Sequence, residues 1–161
     1  MHRVAQFFGH LTARVSADDV ALARGLLPPD AGELFARMPV ADRRHALDVV
    51  SRLLAAGWDD RDLLAAALLH DAAKGERMRL WHRVGGVLLE AFAPGLLRRL
   101  ARDDPPSWRY PWHLYMHHAD LSARAALAAG CGERTAAFIR GAVAPADVDA
   151  AAALDAADEA A

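Results

Sequence analysis

Two adjacent side chains, His70 and Asp71, are the residues whose types most directly suggest chemistry in this sequence. Imidazole nitrogens and carboxylate oxygens are ligands for divalent first-row metals. Adjacent positions on a helix point about 100° apart, so both side chains can reach one ion only beside the helix edge, between ligands from neighbouring helices. His45 lies one helical turn before Val49, on the apolar face of an earlier segment, and is the natural third ligand.

A fourth candidate ligand, Asp158, lies near the C-terminus. Leu154 stands one helical turn before it, so the carboxylate faces the same way as a core-seeking leucine and needs a partner. Asp155 is a near neighbour that can serve instead. Two imidazoles and two carboxylates form a mixed nitrogen and oxygen site that suits one divalent ion of manganese, iron, magnesium, cobalt, nickel or zinc.

Lys74 is the only lysine in the chain, which has eighteen arginines. It follows His70 by one turn, where it can meet a phosphate oxygen as a point charge. Imidazole titrates near neutral pH, so three further histidines are candidates for substrate contact or proton transfer to a leaving group: His82, His117 and His118. Arg77 follows closely and can meet a further phosphate.

Each of these features also has a simpler structural explanation. A buried hydrogen bond between His70 and Asp71 can fix helix packing without any metal. His117 and His118 can be surface residues of a long helix, and Arg77 can belong to a solvated helix face. We favour the metal site because the upstream histidine, the lysine offset and the distant carboxylate all agree with it.

The composition indicates which elements position these residues. Thirty-eight of the 161 residues are alanine, against ten valines, one isoleucine and two threonines, so we expect an all-α chain. A chain of this length forms one domain with its own core. The single cysteine, Cys131, excludes an internal disulfide. We expect a helical bundle in which residues 41–161 form the metal-binding domain and residues 1–40 form helices that pack on or cover it.

Capping residues, glycines and prolines predict where the helices begin and end. The helix with His45 covers about residues 41–56, and the helix with His70 follows the acidic run at 59–62 and continues to Lys74. The remaining helices are predicted at about 16–27, 30–38, 79–92, 96–101, 110–129, 133–143 and 146–161.

Charge and hydropathy limit the partners and the compartment. Nineteen basic and twenty-one acidic residues give a net charge of −2, which supplies no global field to attract nucleic acid or anionic lipid. Apolar runs such as 63–69 are far shorter than the roughly 18 residues of a membrane span. We therefore expect a cytoplasmic protein with a small-molecule partner and no membrane partner. A nucleic-acid partner is disfavoured but not excluded, and the oligomeric state stays open.

The order of the candidate ligands along the chain resembles that of the HD-domain superfamily of metal-dependent phosphohydrolases. The run LLAAALLHDAAKG, residues 63–75, is similar to the core motif of that family. The segment HHADLSARAALAAG, residues 117–130, resembles the following helix in the HD-x-x-K branch, where a histidine corresponding to His118 opens it. The resemblance extends from Arg44 to Glu159.

The resemblance implies an all-α bundle of the HD type, a divalent metal and hydrolysis of phosphate mono- or diesters, commonly of nucleotides. On this hypothesis one metal ion is held by His45, His70, Asp71 and Asp158. Catalytic roles are expected of Lys74, His118 and Asp71. Substrate contacts are expected from Lys74, Arg77, His82, His117 and His118.

The sequence departs from the two-metal branch of the family at one place. In that branch a histidine usually follows the Ile-Arg of the next helix, whereas this chain reads Ile139-Arg140-Gly141-Ala142-Val143. The departure favours a single metal ion. It also leaves an alternative, a catalytically degenerate HD domain that senses a nucleotide or binds a partner, and beyond it a purely structural helical bundle.

Overall fold

A computed structural model describes residues 14–75 and 77–161. These residues are all-helical, with no strand among them, which confirms the predicted all-α class. The helices are α1 (Ala17–Leu26), α2 (Pro29–Ala36), α3 (Val40–Ala55), α4 (Arg61–Leu69), α5 (Leu80–Phe92), α6 (Pro94–Leu100), α7 (Tyr110–Ala128), α8 (Glu133–Arg140) and α9 (Val148–Ala160), with a 3-10 turn at Pro145–Asp147.

Helix α4 forms the centre of the fold. Every side chain from Leu63 to Leu69 is buried, and the helix contacts α1, α3, α7, α8 and α9. A helix that is apolar all round needs neighbours on every side. Asp60 begins it, because its Oδ1 accepts a hydrogen bond from the N–H of Leu63 at 3.0 Å. The residues that follow α4 therefore emerge directly from the core.

The predicted continuation of α4 to Lys74 is wrong. The helix ends at Leu69, and residues 70–75 form a turn. The N–H of Ala73 donates to the hydroxyl of Ser122 on α7 at 3.0 Å, so a side-chain oxygen from another helix replaces the helical carbonyl. His70 itself keeps right-handed helical backbone angles, and the chain leaves the α-helical hydrogen-bond pattern only after it.

Helix α8 also ends earlier than its predicted end at Val143. Its last residue is Arg140, because Gly141 adopts a left-handed conformation with φ of 68°. Glycine adopts this conformation without steric cost, so it commonly ends helices. Gly57 ends α3 in the same way, with φ of 87°, as its place in the sequence predicts.

The part of residues 1–40 that the structure describes contains α1 and α2. Ser16 and Asp19 form the predicted capping box at the start of α1. The two helices contribute Ala23, Ala31 and Phe35, and the link between them contributes Leu27, to the same hydrophobic core as α3, α4 and α9. The prediction for residues 1–13 lies outside the described residues.

Helices α5 and α6 lie at the periphery, where both contact α7. Arg83 on α5 donates to both carboxylate oxygens of Asp42 on α3, at 2.8 and 2.9 Å, and so joins this periphery to the core. None of the helices in the described ranges is long and apolar enough to cross a membrane.

Candidate metal centre

Three of the four predicted metal ligands meet at one point: His45 on α3, His70 in the turn after α4, and Asp158 on α9. One donor atom from each lies within 4.8 Å of the other two. Asp158 Oδ1 is 2.7 Å from His45 Nε2 and 3.3 Å from His70 Nε2. Within the described ranges this is the one group of three such donors, and each member is partly exposed to solvent.

Packing between helices α3 and α9 positions the outer two ligands. Ala46, beside His45, is buried, as is Leu154, one turn before Asp158. Both ligands therefore lie at the edge of a buried face, as the leucine spacing predicts. Asp155, the alternative ligand, is exposed and does not belong to the group of three donors.

The turn after α4 orients the imidazole of His70. Its Nδ1–H donates to the carbonyl oxygen of Ala67 at 2.9 Å, because a carbonyl can only accept. The other nitrogen, Nε2, then faces the two neighbouring ligands. In metal sites a hydrogen bond of this kind fixes the ring orientation and the tautomer of a ligating histidine.

The charges in this cluster favour a cation. Burial lowers the pKa of His70, but the attraction of Asp71 and the hydrogen bond with Asp158 outweigh it, so the pKa is raised. Burial raises the pKa of Asp158, yet hydrogen bonds from His45 and His70 hold it well below its ordinary value. The Asp158 carboxylate therefore stays ionised and favours the protonated form of His70. A metal ion can replace the positive charge of that proton.

Asp71 is 3% exposed, and its two oxygens have different surroundings. Oδ2 accepts a hydrogen bond from Lys74 Nζ at 2.7 Å. Oδ1 lies 2.6 Å from the same ammonium, without hydrogen-bond geometry, and 3.6 Å from His70 Nε2. Among the described residues it is a buried acceptor with no hydrogen-bond partner, which is uncommon in native proteins. Burial raises the pKa of this carboxyl, but His70 and Lys74 hold it at about 2.

The catalytic candidates Lys74 and His118 lie beside this carboxylate. Lys74 pairs with Asp71, and its contact with a phosphate stays a prediction. The Nδ1–H of His118 donates to the carbonyl of Tyr115 at 2.9 Å. Burial and the nearby lysine lower the pKa of His118, so its imidazole is neutral near pH 7, with a free lone pair on Nε2.

The remaining substrate-contact candidates occupy different environments. His82 is buried, its ring centroid is 3.5 Å from that of Trp81, and its Nδ1 accepts from the N–H of Arg79 at 3.2 Å. His117 and Arg77 are exposed. The structure gives His82 a packing role, and substrate contact by these three residues stays a prediction.

Sequence reasoning missed two features that support the site. Ser122 is fully buried and holds the turn that carries His70. Arg134 on α8 joins Asp60, at the start of α4, to Asp147, just before α9, at 2.7 and 2.8 Å. Two features of the sequence could have indicated them: a serine within an apolar stretch of a long helix, and a cluster of acidic residues at the start of a helix.

Comparisons with known proteins found nothing similar to this chain: no family model, no curated protein and no solved structure matches it. The geometry alone supports the statement that His45, His70 and Asp158 can bind a metal ion.

Proposed function

We propose that this protein is an HD-type metal-dependent phosphohydrolase that acts on a small phosphorylated metabolite, with nucleotides as the first class to test. The main observation that supports this function is that His45, His70 and Asp158 meet at one point. Asp71 supports it, because a buried oxygen without a hydrogen-bond partner borders the same cluster. The order of these residues in the sequence is that of the HD motif.

The residues present fit one divalent cation. His45, His70, Asp158 and Asp71 would hold it, with two nitrogen and two oxygen donors of the kind that first-row divalent metals accept. When bound, such an ion acts as a Lewis acid that lowers the pKa of water and offsets negative charge on phosphoryl oxygens.

The neighbouring residues have roles that follow from their contacts. Lys74 holds Asp71 in place through Oδ2, and an ammonium has three donors, so further donors are left for a phosphate oxygen. Neutral His118 offers Nε2 to accept a proton and, once protonated, can donate it to a leaving oxygen. The partial exposure of the cluster leaves a path for a small substrate.

Metal analysis combined with a panel of phosphomonoesters and nucleotides tests the proposal. Purified protein should carry about one divalent ion per chain and turn over at least one substrate with manganese, cobalt, nickel or magnesium. Asp71→Ala should remove both metal and activity. Retained metal in that variant would contradict the assignment of Asp71 as a ligand.

A nucleotide-sensing or partner-binding module is the second candidate. The observation that favours it is Ala142, which is exposed beyond the end of α8 where the two-metal branch of the family has a histidine. A sensor should show a rise in Tm with a nucleotide and metal but no turnover. Turnover of any substrate in the panel excludes this candidate.

A further inference from the structure

Helix α5 carries its large apolar side chains on its outward face. Trp81, Val84, Leu88 and Phe92 recur at spacings of three and four residues, so they share one face of the helix. They are 56%, 53%, 53% and 83% exposed. An amphipathic helix ordinarily turns such a stripe towards the core.

Two adjacent glycines on α5, Gly85 and Gly86, let the helix approach α7 closely beside the buried His82. A Cβ at Gly86 would lie 2.5 Å from the ring of Tyr115, and one at Gly85 would lie 2.9 Å from Trp112. Separations this short leave no room for a larger side chain. The glycine side of α5 therefore packs against α7, and the apolar stripe lies away from that contact.

Two further large apolar side chains are exposed after α5. Leu96 on α6 is 49% exposed, and Trp108 in the following loop is 70% exposed. We define the α5–α6 apolar surface by Trp81, Val84, Leu88, Phe92, Leu96 and Trp108. Contiguous exposed apolar surface commonly marks a binding site for a protein or a membrane.

The charge of this region differs from that of the rest of the chain. Residues 77–109 contain seven arginines and three acidic residues, a formal net charge of +4, so the other residues carry −6 of the total of −2. One of the seven, Arg83, pairs with Asp42 on α3. Exposed arginines flank the apolar surface along the sequence: Arg77 and Arg79 precede it, and Arg98 and Arg99 lie within α6. The partner that complements this surface is therefore apolar and anionic.

We propose that the α5–α6 apolar surface binds the surface of an anionic lipid bilayer. Tryptophan, phenylalanine and leucine side chains enter the boundary between headgroups and acyl chains, while the flanking arginines contact lipid phosphates. The protein lies on the membrane and does not cross it. This proposal differs from the expectation of no membrane partner, which rested on the net charge of the whole chain and on the absence of an apolar run long enough to span a membrane.

Two other occupants are disfavoured by the same observations. A second copy of the chain would bring two regions of +4 together, and the stripe is far shorter than the three or four heptads of a coiled coil. Residues 1–13 include Arg3 and no acidic residue, so their charge does not complement the surface.

Sedimentation of the full chain with vesicles tests the proposal. The protein should co-sediment with phosphatidylcholine vesicles that contain phosphatidylglycerol, and bind at least about tenfold more weakly to pure phosphatidylcholine or in 0.5 M salt. Leu88→Asp and Phe92→Asp should each lower the partition coefficient at least about tenfold. Val148→Asp, at an apolar residue on α9 that is 54% exposed, is the matched control and should bind like the wild type.

A charge variant provides an independent measurement. The double change Arg98→Gln and Arg99→Gln should weaken binding to the anionic vesicles by about tenfold or more, because each arginine near the headgroups contributes separately. Absence of co-sedimentation with anionic vesicles overturns the proposal. So does a dimer in light scattering that Leu88→Asp dissociates, or capture of an acidic protein partner in place of lipid.

Discussion

Two clusters of charged side chains lie at opposite ends of helix α4, and they are balanced in different ways. At the N-terminal end, Arg134 meets Asp60 and Asp147. At the C-terminal end, the turn after the helix brings His70 to Asp158. Each cluster connects α4 to the region of α9, so each is in a position to stabilise the fold.

The Arg134 cluster is complete without any ligand. The guanidinium donates to both oxygens of Asp60 and to Asp147, and Thr135 donates to Asp62 at 2.6 Å. Hydrogen bonds to Asp147 and Asp60 raise the pKa of Arg134 still further above its ordinary value. A permanently charged, multidentate donor therefore satisfies these carboxylates, as is typical of a structural cross-link.

Among the described residues, the candidate metal centre has no arginine of this kind. Lys74 pairs with Asp71, whereas the partners of Asp158 are two imidazoles, which add charge only when protonated. One oxygen of Asp71 remains without a hydrogen bond. Clusters of acidic residues are common, so acidic residues alone do not indicate an ion site. A local deficit of positive charge beside oriented imidazoles does.

The largest expected effect concerns Asp158, the oxygen donor shared by both imidazoles. Asp158→Ala should lower the affinity for a divalent metal by more than about 100-fold, since loss of a ligand should exceed the 10- to 100-fold cost of losing an outer-shell partner. Isothermal titration with manganese or zinc measures this. Asp155→Ala, an exposed carboxylate one turn away, is the control, and an equal loss in both variants would refute the ligand assignment.

The next effect concerns pH and distinguishes the two clusters. Because the pKa of His70 is raised, its proton competes with a metal at and somewhat above pH 6.5. Metal affinity should fall as pH drops through this pKa, by up to about tenfold per pH unit for one proton. The metal-free protein should show the opposite trend: its His70 contribution to stability is present below pH 6.5 and lost as pH rises through the folded pKa. Thermal melts and metal titrations between pH 5.5 and 8.5 check both, and an affinity independent of pH would contradict this assignment.

Arg134→Ala should separate stability from metal binding. Solvent screens this cluster, because the arginine side chain is 40% exposed, so we expect a loss of about 1–2 kcal/mol in the free energy of unfolding. Urea denaturation measures the loss. Metal affinity should stay within about twofold of the wild type, since Arg134 is outside the group of metal donors. A large loss of affinity would show that the two clusters are not independent.

The smallest effect is expected at Ser122 on α7, whose hydroxyl holds the turn that carries His70. Ser122→Ala removes the acceptor for the N–H of Ala73 and should cost about 1 kcal/mol of stability. A less well-held His70 should also weaken metal binding, by at most about tenfold. Ser51→Ala is the control, because Ser51 is exposed and its hydroxyl donates to a carbonyl in its own helix. This variant should change neither quantity.

The sequence predicts the helical class and the inward side of Asp158 because both depend on local information. The meeting of His45, His70 and Asp158 is expected from their residue types and from the resemblance of their order to an HD motif. Alanine content sets the class, and the spacing between Leu154 and Asp158 sets which carboxylate faces inward. These three residues agree with the structure, in which they meet at one point.

Features that depend on contacts distant in sequence could not be predicted. The end of α4 at Leu69 depends on Ser122. Its hydroxyl accepts a hydrogen bond from the N–H of Ala73, which lies 49 positions earlier in the chain. The pairing of Lys74 with Asp71 depends on the turn that results. The outward face of α5 depends on Gly86 and the ring of Tyr115, whereas an apolar stripe by itself indicates a buried face.

The most direct test of the central claim is the metal content of the purified protein and of His70→Ala, measured by elemental analysis after dialysis against manganese, cobalt, nickel or zinc. We expect about one ion per chain in the wild type and in Arg134→Ala, and almost none in His70→Ala. A wild-type protein that retains none of these ions, or a His70→Ala variant that retains as much as the wild type, would contradict the account.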